Sequence, residues 1–224
     1  MPKRSALDEG EQRDEHYIPV PSSIATSPST PICTRIAWFI SNIFSPVTVS
    51  LPFIILVALY HAHNVTHALA YAALTFLFLT IGPMVYILIG VLRGTLTDPD
   101  VSVRSQRLGP FLFCLGSALV GLVVLMLTHA PKNLQTVLII SSVSGVVMIL
   151  ITLFWKISMH ASSFASAITM LTALYGSAVA LMFVVLIALC WSRVVLRRHT
   201  MAQVIVGSLL SITLTTLVLV IRGS

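Results

Sequence analysis

The sequence predicts an all-α protein, a polytopic integral membrane bundle of about seven spans preceded by a disordered N-terminal tail. Three observations carry this. Of 224 residues, 57% are hydrophobic and only 9% are charged, far outside the balance of a water-soluble domain. From residue 46 onward, seven apolar segments follow one another, each near the length that crosses a bilayer. Residues 1–31, by contrast, are polar and rich in Ser, Thr and Pro toward their end, and cannot bury enough apolar area to offset the entropy of ordering.

The elements follow in order. Residues 32–44 place Ile36, Trp38, Phe39, Ile43 and Phe44 around Arg35 and Asn42, the pattern of a short helix lying in the membrane interface. Ser45-Pro46 reads as a helix start, with Ser as N-cap and Pro at the first helical position. The apolar segments lie at about 46–62, 67–92, 109–129, 133–154, 158–175, 178–197 and 200–221. Gly82-Pro83 is expected to kink the second. Residues 160–191 are nearly continuous in apolar character, but their length requires two helices joined by a tight turn at Tyr175-Gly176-Ser177. The chain thus divides into a tail (1–31), an interfacial helix (32–44) and a membrane helical domain (45–224).

Cationic residues orient this bundle. With the tail in the cytoplasm and seven alternating spans, Lys3, Arg4, Arg13, Arg35, Arg93, Arg104, Arg107, Lys156, Arg193, Arg197 and Arg198 fall inside, and only Lys132 and Arg222 fall outside. The same topology brings every polar cluster of the later spans to the cytoplasmic face.

Composition also excludes. Five of the seven acidic residues lie in the first fifteen positions, leaving Asp98 and Asp100 as the remaining carboxylates. Metal sites built from several carboxylates, and paired-carboxylate acid/base chemistry, have almost nothing to draw on, so no cofactor is expected. The positive excess behind the net charge of +6 therefore lies in the membrane part and points to anionic partners such as lipid headgroups, with no nucleic acid among them. Cys33, Cys114 and Cys190 are far apart and read as small buried hydrophobes. The first apolar stretch comes too late for a signal peptide.

Three polar clusters remain. Arg104 and Arg107 lie in a short loop before the third span. Lys156, Ser158 and His160 sit where the fifth span begins. Ser192-Arg193 is followed after five residues by His199, and Gln203 stands one helical turn further on. Metal-free hydrolysis of a phosphate ester needs cationic donors for the phosphoryl oxygens, a nucleophile, and an acid for the leaving oxygen. Arginine suits the first task because its planar fork grips two oxygens at once. A helix start capped by Ser158 offers free N–H groups to an anion, and His199 opens the last span in the same way.

These residues resemble the type-2 phosphatidic acid phosphatase superfamily, whose motifs read Lys-x6-Arg-Pro, Pro-Ser-Gly-His and Ser-Arg-x5-His-x3-Asp. The third motif matches Ser192 to Gln203, the second matches Ile157-Ser158-Met159-His160, and Arg107 is what remains of the first. The resemblance covers about residues 46–221. It implies that His199 is the nucleophile, forming a phosphohistidine, and that His160 is the acid. It also implies that Arg107, Arg193, Ser158 and Ser192 hold the phosphate of a lipid phosphate or diphosphate, with an isoprenoid among the candidate substrates. Asp100 stands where the family has Lys, so Lys156 or Arg104 must supply that cation. Gln203 stands where the family has Asp, leaving a neutral partner to orient His199.

Other readings stay open. Thr200 and Gln203 form a capping-box pattern, which would divert Gln203 from His199. Arg197 and Arg198 suit headgroup anchoring. Asp98-Pro99-Asp100 reads as a turn, or as the magnesium motif of an intramembrane prenyltransferase. A protein that binds lipid phosphate without hydrolysing it is the main alternative to a phosphatase. His61, His63 and His67 have metal-like spacing at the opposite membrane face, but read better as an exposed loop. Gly116, Gly121, Ser141, Ser144 and Gly145 read as small residues for close helix packing.

Overall fold

The computed structural model describes residues 31–101 and 103–223; the tail expected over 1–31 lies almost wholly outside them. Ten α-helices and no strand occur among the described residues. They are α1 (Ile32–Ile43), α2 (Pro46–Leu59), α3 (Val65–Phe76), α4 (Gly82–Leu92), α5 (Leu108–Leu127), α6 (Lys132–Thr152), α7 (Met159–Tyr175), the single turn α8 (Ser177–Ala180), α9 (Met182–Val195) and α10 (Met201–Arg222).

Each of the seven apolar segments is helical, but they differ in length. Five helical stretches are long and apolar enough to cross a membrane: Val65–Leu92, Arg104–Leu127, Lys132–Thr152, Ser177–Val195 and Met201–Arg222. The α1–α2 pair, bent by 42°, makes a sixth if it is one broken span. The expected count of seven includes α2 by itself, with 14 residues, and α7, with 17. At 1.5 Å per residue α7 reaches only about 25 Å. It is also the most enclosed helix of its length, with His160, Ala161, Ser162, Phe164, Ala165, Ala167, Ile168 and Met170 all buried.

Local chemistry sets the boundaries. Ser45 caps α2 by accepting the Thr48 N–H, with Pro46 at the first helical position. Asn64 caps α3 through the His67 N–H, at 3.1 Å. The turn after α7 is made by Gly176 at φ 86°, where a side chain would be strained. At the end of α9, Arg197 sits at φ 53°. The Arg198 N–H bonds the Arg193 carbonyl at 3.0 Å and the Arg197 N–H bonds the Val194 carbonyl at 2.9 Å, the paired bonds of a Schellman stop. That stop turns the chain directly into His199 and the start of α10.

The interruption of the second span begins one turn before Gly82-Pro83, as a π turn over Leu77–Ile81. The Gly82 N–H bonds the Leu77 carbonyl, and Pro83 has no N–H to give. The Phe78 carbonyl therefore loses its helical donors, and the Ser117 hydroxyl of α5 replaces them at 2.5 Å. Gly121, one turn further along α5, leaves room for the Phe78 ring: a Cβ there would stand 2.7 Å from Phe78 Cβ. Gly121 thus serves the close packing read from the sequence. Gly116 does not, because a Cβ on it would meet nothing within 4 Å.

Two apolar cores hold the bundle. The larger joins Ile54 and Val57 of α2, Ala68 and Ala72 of α3, Leu125 of α5, Leu134 and Leu138 of α6, Met170 of α7 and Val218 of α10. The smaller lies between Phe164, Ala165 and Ile168 of α7 and Leu186 and Leu189 of α9, with Ile40 and Phe44 packed against it. The Phe44 and Phe164 rings meet edge to face at 5.3 Å. The cysteines depart from the expectation of buried hydrophobes: Cys33 is exposed, and Cys114 and Cys190 are half-buried. Large apolar side chains are likewise exposed along most helices, the arrangement that a bilayer solvent permits and water does not.

Candidate functional site

The starts of α5, α7 and α10 and the end of α9 come together through their polar residues. Arg107, which precedes α5, is 3% exposed. Its Nε donates to the Val101 carbonyl at 2.9 Å, and its Nη1 donates to the Ile157 carbonyl at 3.0 Å. The loop before α5 is thereby fastened to the segment that leads into α7. Ser158 caps α7, its Oγ accepting the Ala161 N–H at 3.4 Å. The Ser158 N–H in turn approaches the Gln203 carbonyl of α10 at 3.5 Å. Close approach of α7 and α10 depends on Gly207, where a Cβ would lie 2.8 Å from Ser162 Oγ and 3.2 Å from Ile157 Cγ1.

His199 lies in the short connection between α9 and α10 and is buried. Its Nδ1 is 3.0 Å from Gln203 Oε1. The same oxygen accepts the Thr200 backbone N–H at 3.2 Å, while the Gln203 N–H approaches Thr200 Oγ1 at 3.4 Å. The capping box is present, yet it does not divert Gln203 from His199 as the sequence reading supposed. It fixes the amide instead. An atom that receives a backbone N–H must be the amide oxygen, and an amide oxygen facing Nδ1 requires the proton on Nδ1. Nε2 is then left with its lone pair.

Burial, then the positive charges of Arg193, Arg107 and Lys156, push His199 down to about 2, against a smaller upward effect of the Gln203 bond. The ring is neutral at ordinary pH. Lys156 and Arg193 are themselves buried, so this end of the bundle gathers cations in a region poor in water. His160, buried in the first turn of α7, has Arg193, Arg198, Arg107 and Asp100 as its charged neighbours.

Asp100 is the counterpoise. Its Oδ2 lies 3.6 Å from Arg193 Nη2, with the Asp100 side chain 39% exposed at the rim. Burial opposes its ionisation, but His160, Arg193 and Arg198 outweigh that and hold the carboxyl below its ordinary value. Next to it, Val101 is buried at φ 46°, an outlier for a β-branched residue. Its carbonyl is the one that receives Arg107 Nε, so the strained residue is held by a contact to the site.

Of the residues expected from sequence, Arg107, Lys156, Ser158, His160, Arg193, His199 and Gln203 belong to this connected end of the bundle. Ser192 is fully buried, but its hydroxyl donates to the Leu189 carbonyl of its own helix at 2.7 Å. Arg104 is half-buried and its Nη1 reaches the Leu153 carbonyl at the end of α6, at 3.3 Å. Two contributors were not anticipated: Ser41 of α1, which contacts Arg193, and the strained Val101. The only signal for Ser41 was its position four residues after Ala37, on one face of α1. At the opposite face of the bundle, the His61 ring stacks on Tyr60 with centroids 4.2 Å apart. Among the described residues no three His, Cys, Asp or Glu side chains gather as metal ligands would.

Compared with protein-family models, with curated proteins and with solved structures, the chain matches none.

Proposed function

We propose that this chain is a metal-independent lipid phosphatase of the membrane, a divergent relative of the type-2 phosphatidic acid phosphatases, acting through a phosphohistidine. The observation that carries the reading is His199. It is neutral, it is held by Gln203 in the tautomer that leaves Nε2 unprotonated, and it feels the charges of Arg107, Arg193 and Lys156. A lone pair beside buried cations is what attack on a phosphoryl group requires.

In this reading Arg107, Arg193 and Lys156 neutralise the phosphoryl oxygens, and the N–H groups at the start of α7, capped by Ser158, add donors. His199 Nε2 attacks phosphorus as the ester P–O bond breaks; His160, which takes up a proton once the substrate's phosphate dianion joins Asp100 beside it, passes that proton to the departing lipid alcohol. Water then attacks the phosphohistidine, giving inorganic phosphate and restoring His199, while His160 recovers its proton from that water. The lipid tail stays among the apolar helix faces. Seven spans, with α2 and α7 as short ones, put this end of the bundle in the cytoplasm by the distribution of Lys and Arg.

A second reading has its own observation. Asp100 stands 3.6 Å from Arg193, and a neutral Gln203 stands where the family has a carboxylate. The neutral Gln203 stabilises an imidazolium less than a carboxylate would and so weakens catalysis more than binding, as in a protein that holds lipid phosphates without hydrolysing them; Asp100 must be displaced from Arg193 in either case.

The test is phosphate release by detergent-purified protein, with chelator present, from phosphatidate, lysophosphatidate, phosphatidylglycerol phosphate and polyprenyl mono- and diphosphates. Release that disappears in His199→Ala supports the phosphatase. Vanadate binding without release from any substrate supports the second reading, and magnesium-dependent prenyl transfer lost in Asp98→Asn would replace both.

A further inference from the structure

The N-terminal helix reaches the site. Arg193 Nη1 donates to Ser41 Oγ at 2.6 Å, across 152 positions of sequence, and both side chains are buried. Helix α1 has two faces. Ile32, Ile36, Phe39 and Ile43 are exposed, spaced as one helical stripe, whereas Ala37 and Ser41 are buried. The buried face lies against α9, the helix that carries Arg193. The other terminal nitrogen of the same guanidinium, Nη2, faces Asp100 at 3.6 Å. One edge of the fork is thus fixed by a short bond to a buried hydroxyl, and the other meets a carboxylate at the exposed rim at longer range.

We propose that Ser41 is a positioning residue for the oxyanion site, fixing Nη1 of Arg193 so that Nη2 can exchange Asp100 for a phosphoryl oxygen. This rests on the oxyanion reading of the site. A guanidinium gains from pre-organisation because less freedom is lost for each bond it forms. Ser41 supplies it from an element outside all three motifs. Asp100, held loosely, keeps the buried charge compensated until an anion arrives.

The experiment is titration of the full chain in detergent with inorganic orthovanadate, chelator present, comparing wild type with Ser41→Ala, Ser41→Thr, Arg107→Gln and Arg193→Gln. Loss of a hydrogen bond to a charged group predicts binding about tenfold weaker in Ser41→Ala. Ser41→Thr, which keeps the hydroxyl, should restore it to within about threefold. Wild-type binding by Ser41→Ala, with Arg193→Gln still impaired, would overturn the role of Ser41. Equal weakness in Ser41→Ala and Ser41→Thr would overturn it too, assigning the loss to packing. Indifference of binding to both Arg107→Gln and Arg193→Gln would instead remove the oxyanion reading itself. Where Arg193→Gln fails to fold, Arg193→Lys keeps the charge, loses the fork, and reads the same dependence.

Discussion

Gln203 Oε1 is shared between His199 Nδ1, at 3.0 Å, and the Thr200 backbone N–H, at 3.2 Å. The cap and the histidine are one device: the backbone bond fixes which amide atom faces the ring, and that atom fixes the tautomer. Gln203→Ala removes both contacts. It should cost about 1 kcal/mol of stability through the lost cap and lower turnover about tenfold or more through the unheld ring. Gln203→Glu keeps the reach and adds a charge that stabilises the imidazolium. Its His199 should titrate at higher pH than in wild type, read by nuclear magnetic resonance, with turnover at least equal. A Gln203→Ala protein with wild-type turnover would separate the cap from the chemistry.

Acid should destabilise the protein, with His199 supplying part of the loss. In the folded chain it is held down to about 2, and in the unfolded chain it titrates near 6.5. Between those values the unfolded state binds a proton that the folded state refuses, so stability falls as pH is lowered through the window. From pH 7.5 to 5 this one ring contributes a loss on the order of 2 kcal/mol. Thermal melting in detergent at the two pH values should show a smaller drop for His199→Gln than for wild type. Equal drops would mean that the ring is hydrated and titrates normally.

Gly207→Ala should harm the site without removing any polar group from it. The new Cβ would lie 2.8 Å from Ser162 Oγ, 3.2 Å from Ile157 Cγ1 and 3.4 Å from the Ser158 carbonyl. Ser162 can turn aside, but Ile157 is fully buried and its carbonyl holds Arg107 Nη1. Overpacking of this kind costs about 1–3 kcal/mol. Vanadate affinity should fall together with melting temperature. Unchanged values for both would show that α7 and α10 separate freely.

The sequence made the helices legible because membrane spans and their stops are written locally. Ser45-Pro46 and Gly176 act on their own neighbours, and each sits at the boundary it marks. Arg107, His160, Arg193 and His199 were legible as candidate site residues because polar groups are scarce in so apolar a chain. What could not be read is whatever depends on distant approach. Ser41 lies 152 positions from Arg193, and no local pattern marks a buried serine as its partner. Helix length was not legible either: the apolar segments of α2 and α7 read like the other five, yet their helices run only 14 and 17 residues. The two roles of Gln203 looked exclusive in sequence, where one side chain is assigned one task, although a carbonyl oxygen has two lone pairs.

Ser117→Ala should unsettle the second span although Ser117 plays no part in the site. The Phe78 carbonyl has no helical donor, because Gly82 bonds Leu77 instead and Pro83 has no N–H. In water such a carbonyl would be hydrated. Within a bilayer every backbone group must find a partner in the protein, and here that partner is the Ser117 hydroxyl. Its removal leaves the carbonyl unsatisfied, at a cost of about 1–3 kcal/mol, measurable as a lower melting temperature in detergent. Ser117→Thr keeps the hydroxyl and should lose much less. Combining Ser117→Ala with Pro83→Ala tests the cause, since the restored N–H lets the helix satisfy Phe78 itself. The double variant should recover part of the loss, and a simple sum of two losses would mean that the serine acts only by packing.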